Sequence, residues 1–281
     1  MKQCNATIKN FKNGNPLTPL VLSSPHSGKF YPKEFLKLSQ IPIETLKQSE
    51  DSLVDDLLST NSENNNVLLS ANWSRSVIDV NRAINDFNEN NFDPPITKYK
   101  SIPSKYSRSG LGVIPSRSIN NELIYKNLIP GDISTEWLDK AWNSYHDSLK
   151  KILNRVFEIY GYYILFDFHS MPSRTYLGNN PDIVLGDCYG SSISPNIIIY
   201  VKKLFLNSGL KVKLNDPYSG GYITENYGLP KKGFHTLQIE INRSLYLNEK
   251  TREKNHNFNY LQKLLMDLIK NFEKEKNKLL K

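Results

Sequence analysis

GYYILFDFHSMPSR (161–174) is the stretch on which the fold turns. Glycine opens it, aromatic and aliphatic side chains fill it as far as Phe168 apart from Asp167, and the apolar run then breaks into His169, Ser170 and Arg174. A short run of this composition, bounded by glycine on one side and proline on the other, reads as a buried strand. Its polar end is the informative part. In an open α/β sheet, ligands bind beyond the carboxyl ends of the strands, so an imidazole, a hydroxyl and a guanidinium at that point suggest chemistry.

Other segments repeat the theme. LTPLVLSS (17–24), NVLLSA (66–71), SVIDV (76–80) and HTLQIEI (235–241) read as further strands, and PDIVLG (181–186) as a sixth. Helical spacing lies between them. IETLKQSEDSLVDDLLS (43–59) predicts one helix, and TEWLDKAWNSYHDSLKKILNRVFEIYG (135–161) a long one stopped by Gly161. SPNIIIYVKKLFLNSG (194–209) has a serine cap and a first-turn proline, and a last helix is expected from about residue 254. Helices alternating with buried strands argue for an α/β layered domain around a mostly parallel sheet. With no internal repeat and no long linker, residues 1–281 are expected to form one domain.

Composition removes several classes of function. The chain has 38% hydrophobic residues, enough for a sizeable core, but no apolar run approaching the eighteen or so residues needed to cross a bilayer. Its start lacks the apolar segment of a signal peptide, and a cytoplasmic protein without a membrane partner is expected. The two cysteines, Cys4 and Cys188, give neither a disulfide framework nor a thiolate metal cluster. The formal charge is +8, yet the excess is scattered lysine pairs and a mixed-sign tail without interleaved aromatics, so nucleic acid is not expected as a partner.

The residues just past each strand are more specific. The first strand runs into Pro25-His26-Ser27-Gly28, the third into Asn81-Arg82, the fourth into His169-Ser170, and the last carries Glu240 and then Asn242-Arg243. If the strands are parallel, these groups converge on one rim. Two histidines and a carboxylate suit a catalytic divalent metal, commonly zinc with three protein ligands and an open position. The acidic cluster at Glu50, Asp51, Asp55 and Asp56 is the source of the carboxylate; on a helix, Asp51 and Asp55 would share a face. Each residue also has a plainer reading: a lone histidine as a hydrogen-bonded structural group, an acidic run as a solvated face. Ser27 and Ser170 come after histidines but lack a nucleophile elbow, no phosphate-binding glycine loop occurs, and Cys188 reads as a packed thiol. A two-histidine, one-carboxylate set also suits iron in an oxygenase, against which the helix–strand alternation argues.

In these segments the chain resembles the N-formylglutamate amidohydrolases, metal-dependent hydrolases related in fold to zinc carboxypeptidases and to the succinylglutamate desuccinylase and aspartoacylase group. The segments that carry the resemblance are SPHSG (24–28), EDSLVDDLL (50–58), SRSVIDVNR (74–82), GLGVIP (110–115), SYHDSL (144–149), DFHSMPS (167–173), DIVLGDCYG (182–190), PYSGGYITENYG (217–228) and LQIEINRSLYLNE (237–249). The resemblance implies a three-layer α/β/α fold with a mostly parallel mixed sheet, of the zinc carboxypeptidase and phosphorylase/hydrolase-like kind. It implies His26, His169 and Asp51 as metal ligands, with Glu50 the alternative carboxylate, and Glu240 as general base and acid. Asn81 and Arg82 resemble the pair that grips a substrate carboxylate; Arg75, also a candidate for the oxyanion, Arg174 and Arg243 are candidates for the second carboxylate of a diacid. Asp167 either holds His169 in its tautomer or is turned to the opposite face by strand alternation.

The implied reaction is metal-dependent hydrolysis of an N-acyl amino acid, N-formyl-L-glutamate to formate and L-glutamate in histidine degradation. The implied ion is Zn2+ or another divalent metal such as Co2+, Mn2+ or Fe2+. A monomer or small homo-oligomer with a small-molecule substrate is expected. Glu225 stands where deformylases of histidine degradation tend to carry a basic residue, a departure that bears on which acyl-amino acid is cleaved. The other readings are a hydrolase of a different N-acyl amino acid or small peptide, and a non-catalytic binding protein on the same fold.

Overall fold

In the computed structural model, residues 5–11, 13–59, 65–175 and 178–280 are described. Among them nine strands are formed: β1 (Ala6–Lys9), β2 (Leu20–Ser24), β3 (Val67–Ala71), β4 (Tyr163–Met171), β5 (Arg174–Thr175), β6 (Gly178–Asn179), β7 (Ile183–Gly186), β8 (Val212–Leu214) and β9 (Phe234–Asn242). The helices are α1 (Lys33–Leu38), α2 (Ile43–Leu46), α3 (Val54–Leu58), α4 (Lys105–Arg108), α5 (Gly131–Trp137), α6 (Ser144–Tyr160), α7 (Pro195–Asn207), α8 (Tyr222–Tyr227) and α9 (Phe258–Leu279). Seven strands build one mixed sheet in the order β1-β3-β2-β4-β9-β7-β8, with flanking helices, while β5 and β6 form a separate antiparallel pair. This is an α/β fold, as expected. β4 pairs in parallel with β2 and β9, and β8 with β7, whereas β7 runs antiparallel to β9.

The chain divides into two compact units, one of Met1–Thr7, Pro25–Asp51 and Ser70–Lys151, the other of Ile8–Ser24, Ser52–Leu69 and Ile152–Lys281. In the second, one apolar cluster takes Leu20 and Leu22 of β2, Ile164, Phe166 and Phe168 of β4, and Leu237, Ile239 and Ile241 of β9, and packs them with residues of α3, α7 and α9. Burying each such side chain contributes about 1.5–3 kcal/mol. Strand alternation then sends Asp167 and His169 of β4, and Gln238 and Glu240 of β9, to the opposite face. The parallel register sets Asp167 beside Gln238 and His169 beside Glu240. In the first unit Phe35, fully buried, is ringed by Tyr31, Tyr125 and Trp137 at centroid distances of 5.9, 5.7 and 5.9 Å.

Two expected elements are absent. SVIDV (76–80) is not a strand: Val77 and Ile78 donate back to Ser74 O, Asp79 N donates to Val113 O, and the Asp79 side chain accepts from Asn81 N. The side chains of Ser74 and Asp79 accept from the nearby backbone N–H groups of Ser76 and Asn81, a local alternative to a ladder. Nor is 43–59 one helix. α2 passes into a single 3₁₀ turn at Lys47–Ser49, Leu53 adopts a left-handed conformation (φ 66°), and α3 starts only at Val54. Asp51 and Asp55 therefore do not share a helical face. The helix from 131 to 160 is continuous but contains a π segment, Leu138–Asn143, and the last helix begins at Phe258, later than the spacing suggested. No helix among the described residues is long and apolar enough to cross a membrane.

Candidate metal centre

His26 lies two residues past β2, in a turn whose path is set by Gly28. A Cβ on Gly28 would stand 2.0 Å from Trp73 O, and Lys29 N and Phe30 N both donate to Asn72 O, at 3.0 and 2.9 Å. The backbones at 28–30 and 72–73 thus approach as closely as only a glycine permits. Asp51 is tied to the same turn: its N–H donates to His26 O at 3.0 Å, and Ser27 Oγ donates to Asp51 O at 3.2 Å. The result brings Asp51 Oδ2 to 3.4 Å from His26 Nδ1. Both residues are buried.

The other nitrogen of His26 meets Asp79 Oδ1 at 2.7 Å. Burial opposes ionisation of Asp79, but Arg75, His26 and Arg82 outweigh it and hold the carboxyl well below the usual carboxylate range. Arg75 Nη2 donates to Asp79 Oδ2 at 2.7 Å. An anionic Asp79 accepts, so Nε2 of His26 carries a proton, and Nδ1 is the nitrogen turned towards Asp51. A divalent ion bound here would take that nitrogen and an oxygen of Asp51, 3.4 Å apart, with Asp79 orienting the ring from its other side.

His169, on β4, has the same arrangement. Asp167, two residues earlier and on the same face, meets its Nε2 at 3.0 Å and accepts at Oδ1 from Ser23 Oγ. This decides between the two orientations expected of Asp167. On β9, Gln238 Nε2 donates to Glu240 Oε1 at 2.9 Å, fixing one carboxylate oxygen of Glu240. His26, Asp51 and His169 form a buried group that could hold a metal ion, each offering one ligand atom. Two imidazoles and one carboxylate fit such an ion by donor type and leave coordination positions open. Glu50 is engaged elsewhere: Tyr31 OH donates to Glu50 Oε1 at 2.6 Å, and burial together with Glu50's charge pushes the Tyr31 phenol up.

The remaining candidates are placed differently. Asn81 is buried, and its backbone N–H bonds Asp79. Arg82 lies over the Tyr106 ring at 4.0 Å, with Nε donating to Leu111 O and Nη1 to Asn81 O. Arg243 Nε donates to Ser170 Oγ at 3.1 Å. Arg174 is exposed on the β5–β6 pair. Burial, Glu225 and Asp187 push the Cys188 thiol up to about 11, in keeping with a packed thiol. Sequence reasoning missed Asp79, Ser23 and Gln238. The signal for Gln238 and Ser23 was parity, since each stands on the strand face of a group already singled out; Asp79 was hidden inside an apolar run that reads as a strand.

A family model described as N-formylglutamate amidohydrolase matches residues 18–247. The N-formylglutamate deformylase of Pseudomonas putida is 30% identical over 243 residues, 82% of each chain. The enzyme of the same name from Pseudomonas aeruginosa is 26% identical over 254 residues, 86% of each chain. Among solved structures, an N-formylglutamate amidohydrolase from Ralstonia eutropha JMP134 superposes with a TM-score of 0.89 at 30% identity, covering 97% of this chain and 99% of that one.

Proposed function

The chain belongs to the N-formylglutamate amidohydrolase family, and from that premise we propose that it hydrolyses N-formyl-L-glutamate to formate and L-glutamate with a divalent metal held by His26, Asp51 and His169. The observation that carries the metal reading is the buried His–Asp–His donor set, whose imidazoles are each fixed at Nε2 by a carboxylate. The set of two nitrogens and one oxygen favours zinc, with cobalt, manganese or iron as alternatives of the same charge. When bound, the ion supplies Lewis-acid polarisation of the formyl carbonyl and a lowered pKa for water.

The chain's own groups do the rest. Glu240, held at Oε1 by Gln238, takes a proton from the attacking water at Oε2 and returns it to the departing amino nitrogen. Asn81 and Arg82 receive one substrate carboxylate and Arg243 the other, a role for which guanidinium donors suit. Arg75 is engaged by Asp79, which supports a share in holding His26 as well as the oxyanion role. Asp51 rather than Glu50 is the carboxylate ligand, supported by its approach to His26 and by Tyr31's hold on Glu50. A cytoplasmic location and a small-molecule partner accord with this reading. Glu225, exposed on α8, favours a second reading in which a different N-acyl amino acid is preferred.

A screen of N-formyl, N-acetyl and N-succinyl amino acids, with and without chelator and with metal content measured, tests the proposal. Chelator-sensitive cleavage with N-formylglutamate the best substrate is expected. Cleavage of none, in protein with a stoichiometric metal, would overturn it.

A further inference from the structure

His146 and Trp142 are buried in the first unit and have no part in the chemical steps of the reaction. Trp142 belongs to the π segment and His146 to the first turn of α6, so they stand one above the other, ring centroids 3.9 Å apart at 32°. Trp142 Nε1 donates to Arg82 O at 2.8 Å, and His146 Nε2 lies 2.8 Å from Val80 O. A carbonyl oxygen only accepts, so Nε2 of His146 carries a proton. Between these anchors Asn81 N donates to Asp79 Oδ1 at 2.9 Å. Three successive residues, Val80, Asn81 and Arg82, thus have their backbone held from fixed side chains, at the turn that carries the Asn–Arg pair.

The geometry has a direction. The Trp142 Nε1 and His146 Nε2 bonds go to backbone carbonyl oxygens of this turn. Arg82 is further restrained by Tyr106 on one face and by Leu111 O and Asn81 O at Nε and Nη1, which leaves Nη2 without a protein partner among the described residues. A π segment is a common device at functional sites, since its extra residue re-aims the side chains it carries. We infer that Trp142 and His146 are positioning residues that hold the Asn81–Arg82 turn in register for the carboxylate of the substrate. The inference rests on the reading of Asn81 and Arg82 as the carboxylate grip.

The test uses metal-loaded full-length enzyme and two substrates, N-formyl-L-glutamate and its neutral diamide. Trp142→Phe and His146→Phe should each raise KM for N-formylglutamate about tenfold, the size of one lost hydrogen bond, with kcat within threefold and diamide cleavage unchanged. His146→Gln, which restores an N–H donor, should recover most of the loss. In an Arg82→Gln background, Trp142→Phe should add little, because the group it positions is gone. Equal losses on both substrates, a fall in kcat alone, or full additivity with Arg82→Gln would overturn the inference while leaving the deformylase reading intact. Wild-type protein inactive on N-formylglutamate would overturn both. Should His146→Phe fail to fold, the Trp142→Phe cycle decides alone.

Discussion

Replacing Asp79 by asparagine keeps the volume and removes the charge. In the wild type, Oδ1 accepts from His26 at 2.7 Å and from Asn81 N at 2.9 Å, and Oδ2 from Arg75 at 2.7 Å. An asparagine has one acceptor and must choose. With its oxygen towards His26, the amide N–H₂ confronts the Arg75 guanidinium, donor against donor. Turned over, the amide donates to Nε2, and the imidazole proton moves to Nδ1, where it points at Asp51 and removes the lone pair a metal needs. Either orientation weakens the ion. Loss of such an outer partner lowers metal affinity by about 10- to 100-fold, or roughly 1.4–2.8 kcal/mol. The metal-free protein should also lose stability, because a charge-assisted bond is worth about 1.5–3 kcal/mol and Arg75, 26% exposed, recovers part of that from water. Competition with a chromophoric chelator measures the first quantity and thermal melting of the metal-free protein the second. Zn2+ affinity within threefold of wild type would refute the account of how His26 is held.

Glu240→Gln should keep the metal and lose turnover by about 10²–10⁴-fold, the scale of a general base; steady-state rates near wild type would remove Glu240 from that role. Gly28→Ala brings a methyl to 2.0 Å from Trp73 O, so the His26 turn must shift, with destabilisation of more than about 2 kcal/mol in urea unfolding; an unchanged midpoint with normal metal content would show the turn to be pliant. His235, whose Nδ1 accepts from Ser194 N, is pushed down to about 4 by burial. Being a base with a depressed folded value, it leaves stability intact above about pH 6.5. As pH falls towards 4 the unfolded chain protonates first, and stability drops by on the order of 3 kcal/mol. His235→Gln should flatten that acid limb in denaturant titrations at pH 7 and 4.5, and an identical limb in the variant would assign it to other groups.

β4, β9 and β7 were legible because their runs are buried on both faces and end at turn residues. β1 and β8 were not: TIK and VKL are short and half-solvated, and nothing in their composition separates them from loop. The misreadings share a cause. Val77, Ile78 and Val80 are buried, but inside a knot of turns whose N–H groups go to Ser74, Val113 and an aspartate side chain. The 43–59 stretch has helical spacing on both sides of a left-handed Leu53 that no pattern of apolar residues announces. The two histidines of the candidate metal group could be picked out residue by residue, since imidazoles at strand ends are rare enough to stand out. Their partners could not, because Asp79 and Gln238 are meaningful only once a register or a turn has placed them.

The register of β4 against β9 has one last consequence. Phe166 and Phe168 alternate with Asp167 and His169, and Leu237 and Ile239 with Gln238 and Glu240. Slipping β9 by one residue would carry Gln238 and Glu240 into the apolar cluster and turn Leu237 and Ile239 out of it. Such a chain would not be a folded protein with a faulty catalyst; it would scarcely be folded at all. In this strand pair, quality control over folding is also quality control over the candidate site, because one alternation writes both the apolar cluster and the polar face that holds His169 and Glu240.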